Sequence, residues 1–242
     1  MRRFGYAVIM VCAVLLAIPA VAKDKVEKLT FSFDGSPRTY YSLVPEDAAP
    51  EPLVLLLHGS GRNGLEMTDA WKALATAEHF IIAAPNSYDP AIWQSDKDSP
   101  DFLREVVNQV KSRHPVDPSR IYLFGNSGGA VYALELSLID SEGFAAAAVH
   151  AGSLAPANYD LFQWAKRKMP IAIWVGDHDP NFPLDTVKAT KAAFEAKGFL
   201  VDLYVIPNHS HSYADVYDEV NRKAWDFLKR AQLPQADLPL AP

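Results

Sequence analysis

The chain has 242 residues, of which 49 % are apolar and 21 % charged, with a formal net charge of −6. That composition suits a single domain with a sizeable core and excludes a disordered chain. The mild acidic balance leaves no basic footprint for nucleic acid or an anionic membrane surface.

The first residues read as a targeting segment. Arg2 and Arg3 precede an apolar run from Tyr6 to Ile18, and Ala20-Val21-Ala22 is a small-residue cleavage site before Lys23. A run of about 13 residues is short for a bilayer span. The expectation is a signal peptide over 1–22 and a single mature domain over 23–242. That predicts a secreted or periplasmic location, with no stable membrane insertion after cleavage; an uncleaved anchor is the alternative. The one cysteine, Cys12, lies inside the apolar run. The mature chain would therefore carry no thiol, which excludes cysteine catalysis, thiolate metal sites and disulfide stapling.

Taken in order, Glu27–Phe33 and Arg38–Val44 read as strands around an Asp34-Gly35 hairpin turn. Leu53–Leu57 is a continuous apolar run, as for a strand buried on both faces. Met67, Trp71, Leu74 and Ala75 mark one face of a helix. Phe80–Ala84 is a strand, and Phe102, Val106 and Val110 mark an amphipathic helix. The polar run Gln94–Asp98 between them reads as solvated surface. Ile121–Phe124 is a strand and Ala130–Ile139 a helix. Phe144–Val149 and Ile171–Val175 are strands. Leu184–Ala196 is a helix ending at Lys197-Gly198. Val201–Ile206 is the last strand, and Tyr213–Ala231 the closing helix, with Tyr217, Val220, Ala224, Phe227 and Leu228 inward. Alternating strands and helices predict an α/β fold: a mostly parallel sheet with helices on both faces and an antiparallel hairpin at one edge.

The sharpest motif is Gly125-Asn126-Ser127-Gly128-Gly129, between a strand and a helix. In that setting G-x-S-x-G is the nucleophile elbow of α/β-hydrolases. The glycines let strand and helix pass closely, and Ser127 is held out at the sheet's C-terminal edge. A serine nucleophile needs a base, an orienting acid and oxyanion donors. Asp177-His178-Asp179 follows one strand and His209-Ser210-His211 follows the next. Both segments thus reach the edge that carries Ser127, in the order Ser, Asp, His. His58-Gly59-Ser60-Gly61 follows Leu53–Leu57 at the same edge and resembles the oxyanion loop of esterases. Its backbone donors would be Ser60 and Gly128, with the His58 side chain fixing the loop. Asn126 and Trp93 are candidates for the substrate pocket; Trp93 is equally readable as a core aromatic. Phe162 and Trp164, between two strands, could overhang the site.

The sequence resembles the secreted polyhydroxybutyrate-depolymerase and feruloyl-esterase-like branch of the α/β-hydrolases. Four segments carry the resemblance: Asp34 to Tyr40 (D-G-x-x-R-x-Y), His58 to Asn63 (H-G-x-G-x-N), Val116 to Tyr122 (V-D-P-x-R-x-Y) and the elbow. It implies ester hydrolysis by a Ser-Asp-His triad, without metal or other cofactor, on a small-molecule or polymeric ester. The family's G-x-x-D spacing selects Asp179 over Asp177. Its aromatic residue after the histidine selects His211, before Tyr213, over His209. The chain departs from the pattern in the His209–Tyr213 segment and in lacking disulfides. Three other functions remain: a zinc hydrolase using Asp177, His178, Asp179, His209 and His211; a serine peptidase on the same fold; and a non-catalytic exported binding protein.

Overall fold

The computed structural model describes residues 25–45 and 49–234. The signal peptide expected over 1–22, with Cys12, lies outside the described residues. Among the described residues, eight strands form one sheet: β1 (Glu27–Phe33), β2 (Ser36–Leu43), β3 (Glu51–Leu57), β4 (Ile81–Pro85), β5 (Val116–Asn126), β6 (Ala147–His150), β7 (Ile171–Gly176) and β8 (Val201–Ile206). Their order is β1-β2-β4-β3-β5-β6-β7-β8. β1 pairs with β2, and β2 with β4, antiparallel; every later pairing is parallel. The expected mostly parallel sheet with an antiparallel hairpin edge is therefore present. Asp34 and Gly35 both have left-handed φ, +47° and +75°, as a two-residue hairpin turn matched to strand twist requires.

Among the described residues, five α-helices cover the sheet: α1 (Gly64–Glu78), α2 (Pro100–Lys111), α3 (Gly128–Ile139), α4 (Leu184–Glu195) and α5 (Tyr217–Leu228). Alternate side chains of a strand point to opposite faces, and β3 divides its residues accordingly. Leu53, Leu55 and Leu57 join the core with Phe102, Val106, Tyr132 and Phe194, from α2, α3 and α4. Val54 and Leu56 join Met67, Trp71, Val220 and Trp225, from α1 and α5. Burial on both faces explains why this strand reads as an unbroken apolar run. Asn63 caps α1: its side chain accepts from Glu66 N–H at 3.1 Å and is held by donating its amide to the Glu66 carboxylate at 2.8 Å.

Two expectations change. The closing helix is broken. Tyr213–Asp215 is a short 3₁₀ turn, and Val216, at φ −133°, separates it from α5. Tyr213 is turned inward there, its hydroxyl bonded to Trp71 and Asn221. Along α5 the buried aromatic is Trp225, stacked on Phe80 at 4.1 Å, while Tyr217 and Phe227 are only half-buried. Nor is Gln94–Asp98 wholly solvated. Asp98 is 0 % exposed, paired with Arg38 at 2.5 Å, and accepts from the N–H groups of Tyr88 and Gln94. Arg38 lies over the Phe102 ring at 3.5 Å. The carboxylate thus has an ionic partner that lies 60 residues earlier in the chain. Among the described residues no helix is long and apolar enough to cross a membrane.

Candidate active site

The elbow forms where β5 runs into α3. Ser127 has φ +53° and ψ −118°, a strained backbone for a residue with a side chain. The flanking glycines are sterically required. A Cβ on Gly125 would lie 2.2 Å from the Gly129 carbonyl oxygen, and one on Gly129 would lie 2.2 Å from that of Leu57. The serine N–H donates to His150 O at 2.9 Å. Its hydroxyl is thereby raised above the sheet edge at the N-terminus of α3, where the helix field favours negative charge.

β7 and β8 deliver the other two groups. Asp179, with its side chain fully buried, accepts from the N–H groups of Asn181 and Phe182 at one oxygen, at 2.9 and 3.0 Å. Its other oxygen lies 2.8 Å from His211 Nδ1. His211 Nε2 lies 2.9 Å from Ser127 Oγ. With Nδ1 protonated toward the carboxylate, Nε2 presents a lone pair to the serine hydroxyl. Phe182 stacks on the imidazole at 5.7 Å. The alternatives lie elsewhere. Asp177 accepts from the His209 N–H at 3.2 Å, and His209 is buried behind the loop. Among the described residues no three His, Cys or acidic side chains converge in a group that could hold a metal.

The loop after β3 faces the elbow. A Cβ on Gly128 would lie 3.3 Å from Ser60 N, so the two backbones run side by side beside Ser127. His58 is buried and fixes this loop, as expected. Its Nδ1 donates to Gly59 O at 2.9 Å and its Nε2 accepts from Ser87 N–H at 3.0 Å. Burial lowers its pKa and keeps it neutral. Trp93 does not line a pocket at Ser127. It is 7 % exposed, donates to His58 O at 2.8 Å and stacks on Tyr132. Its role is to pin the loop from the core side.

A cavity of about 700 Å³ opens at Ser127. Its wall includes Asn126 and His211, with Met67 and Ala70 from α1, Tyr213 from the turn after His211 and Tyr217 from the start of α5. Neither Phe162 nor Trp164 reaches it. Phe162 packs against Phe194 and Phe199 in the core, and Trp164 is 62 % exposed. The His211 segment is anchored by Tyr213, whose hydroxyl accepts from Trp71 Nε1 at 2.9 Å and donates to Asn221 Oδ1. Two features escaped the sequence reading, the Phe182 stack and His150. His150 ends β6, beside β5, and its Nδ1 meets Asn126 Oδ1 at 2.9 Å. Its place at the C-terminal edge of the sheet was the available signal.

Residues 82–231, more than half the chain, match the dienelactone hydrolase family. The chain belongs to that family. Among curated proteins it is 32 % identical over 164 residues to NocK of Nocardia uniformis subsp. tsuyamanensis, which carries a provisional esterase assignment. That match covers 62 % of this chain and 47 % of NocK. It is 27 % identical over 117 residues to poly(3-hydroxyalkanoate) depolymerase C of Paucimonas lemoignei, covering 43 % and 28 % of the two chains. The chain thus matches less than half the length of these curated relatives. Among solved structures, FphF, a fluorophosphonate-binding serine hydrolase of Staphylococcus aureus, superposes with a TM-score of 0.71 at 15 % identity, over 84 % of this chain and 98 % of that one. A thermostable esterase gives 0.70 at 20 % identity, over 86 % and 64 %. These likenesses establish the α/β-hydrolase fold.

Proposed function

We propose that the protein is an exported serine hydrolase that cleaves carboxylic esters through Ser127, His211 and Asp179. The observation that carries this reading is the unbroken line of contacts from Asp179 through His211 to Ser127, at 2.8 and 2.9 Å. Family membership and the esterase relatives support the same reaction class. Ser127 Oγ attacks the ester carbonyl carbon while its proton passes to His211 Nε2. Asp179 holds the imidazole in the required tautomer and stabilises the imidazolium. The N–H groups of Ser60 and Gly128 receive the oxyanion. Collapse expels the alcohol, which takes the proton from His211. Water, activated by the same histidine, then releases the acid and frees Ser127. No cofactor enters any step. The cavity of about 700 Å³, open to solvent and partly lined by tyrosines, suits the acyl or alcohol part of a small ester or the end of a polymeric one. Export rests on the Arg2-Arg3, apolar-run and Ala20-Val21-Ala22 pattern.

The test is a fluorophosphonate probe combined with p-nitrophenyl esters. A single labelled site at Ser127 is expected, and Ser127→Ala should abolish labelling and turnover while leaving the fold intact. His211→Ala should lower kcat by about three orders of magnitude or more, and His209→Ala far less. Full turnover in a folded Ser127→Ala protein would overturn the reading. Preferential cleavage of p-nitroanilides over esters would assign the site to peptides.

A further inference from the structure

Behind the elbow, His150 is 0 % exposed, and its Nε2 finds no hydrogen-bond partner among the described residues. A buried imidazole with one idle nitrogen is costly, and an apolar side chain of similar size would avoid that cost. The nitrogen that is used, Nδ1, meets Asn126 Oδ1 at 2.9 Å. Asn126 immediately precedes Ser127 and lines the cavity. Its Nδ2 lies against the loop opposite: a Cβ placed on Gly59 would be 3.2 Å from Asn126 Nδ2 and 3.3 Å from Ser127 Cβ. The amide nitrogen, the nucleophile and the backbone just before Ser60 therefore converge on one spot.

We propose that His150 is a positioning residue that fixes the Asn126 amide, so that its NH2 group donates to the ester carbonyl oxygen as negative charge develops there. This rests on the serine-hydrolase reading and adds a side-chain donor to its two backbone donors. The logic is one of orientation. An asparagine amide has an accepting end and a donating end, and rotation by half a turn exchanges them. The Nδ1–H of neutral His150 occupies the accepting end and leaves the donating end toward the reaction. A donor aimed at developing charge acts mainly in the transition state, so its loss lowers kcat more than it raises KM.

The experiment is a double-mutant cycle with p-nitrophenyl acetate, with Ser127 labelling by a fluorophosphonate measured on every variant. Asn126→Ala should lower kcat roughly ten-fold at nearly constant KM, the loss expected of one hydrogen bond. His150→Leu should cost about the same, and the double variant no more than either single one, because His150 acts only through Asn126. His150→Asn, which retains an N–H near the Nδ1 position, should recover activity to within about three-fold of the original. Should His150→Leu fail to fold, Asn126→Asp decides. A carboxylate offers only acceptors there, and kcat should fall roughly a hundred-fold. Additive losses in the cycle, unchanged kcat in Asn126→Ala, or full activity in Asn126→Asp would each overturn the proposal. Failure to label Ser127 in the original chain would instead sink the serine-hydrolase reading.

Discussion

His150 also titrates far from the ordinary histidine range. Burial, and then the neighbouring imidazoles of His209 and His211, push its pKa down to about 3. In the unfolded chain the same group titrates at about 6.5. Between those values the unfolded chain holds the extra proton, so stability rises with pH across this window. The contribution is complete above pH ~6.5 and is lost as pH falls toward 3, at up to about 1.4 kcal/mol per pH unit. Asp140 opposes it over part of the range: burial outweighs the Arg104 ion pair and pushes its pKa up to about 6, so its contribution falls as pH rises from about 4 to 6. Urea unfolding at pH 4, 5 and 7 should therefore show His150→Asn losing less stability on acidification than the original chain. An identical pH dependence in both would mean that the buried ring is not the source of the acid sensitivity.

At the level of elements, the strand ends do most to place the chemistry. β3, β5, β7 and β8 each deliver one part of the candidate site where they leave the sheet. That part was legible, because a strand's direction fixes which end its following loop occupies. The break between Tyr213 and α5 was not legible, because hydropathy alone continues the helical pattern through it. A polar network lies at the break: the Tyr213 hydroxyl joins Trp71 and Asn221, and Asn221 in turn donates to Ala70 O at 2.9 Å. Such a network has no sequence period. Tyr213→Phe leaves the Trp71 N–H and the Asn221 amide oxygen without this partner in a buried setting, at a cost of about 1–3 kcal/mol. The expected outcome is a lower urea midpoint and a reduced kcat, since His211 lies two residues away. Unaltered values of both would show that the loop is held by its backbone alone.

For the whole molecule, the motifs that carry the resemblance to depolymerases and feruloyl esterases divide into chemistry and scaffolding. Ser127 belongs to the proposed chemistry, and its flanking glycines to the close passage of backbone that presents it. Arg38 ties β2 to the Asp98 loop, Asn63 caps α1, and Asp117 binds the Ser119 N–H at 2.9 Å and Arg120 Nε at 2.6 Å. Much of what made the sequence recognisable is therefore structural. The choice of Asp179 and His211 drew on family spacing, and their meeting with Ser127 is a long-range fact: His211 and Ser127 are 84 residues apart. The polar run ending in Asp98 misled for the same reason. A charged residue reads as surface unless its partner is known, and Arg38 is distant in sequence. Removing one member of a buried pair leaves the other uncompensated, at about 3–5 kcal/mol. Asp98→Ala should accordingly lower Tm by roughly 6–20 °C for a domain of this size. Calorimetry checks this; a shift of a degree or two would assign the pair little stabilising role.

The contact between the loops after β7 and β8 has a further consequence. His178 N–H donates to His209 O at 2.9 Å, His209 N–H donates to Asp177 at 3.2 Å, and Gly176 passes so close that a Cβ there would lie 2.1 Å from His209 O. Asp179 and His211 are thus carried on two strands of backbone laced to each other, before their own side chains meet. Neither loop can peel away without dragging on the other. Gly176→Ala should therefore displace the proposed acid and base together, lowering the fraction of molecules that a fluorophosphonate labels.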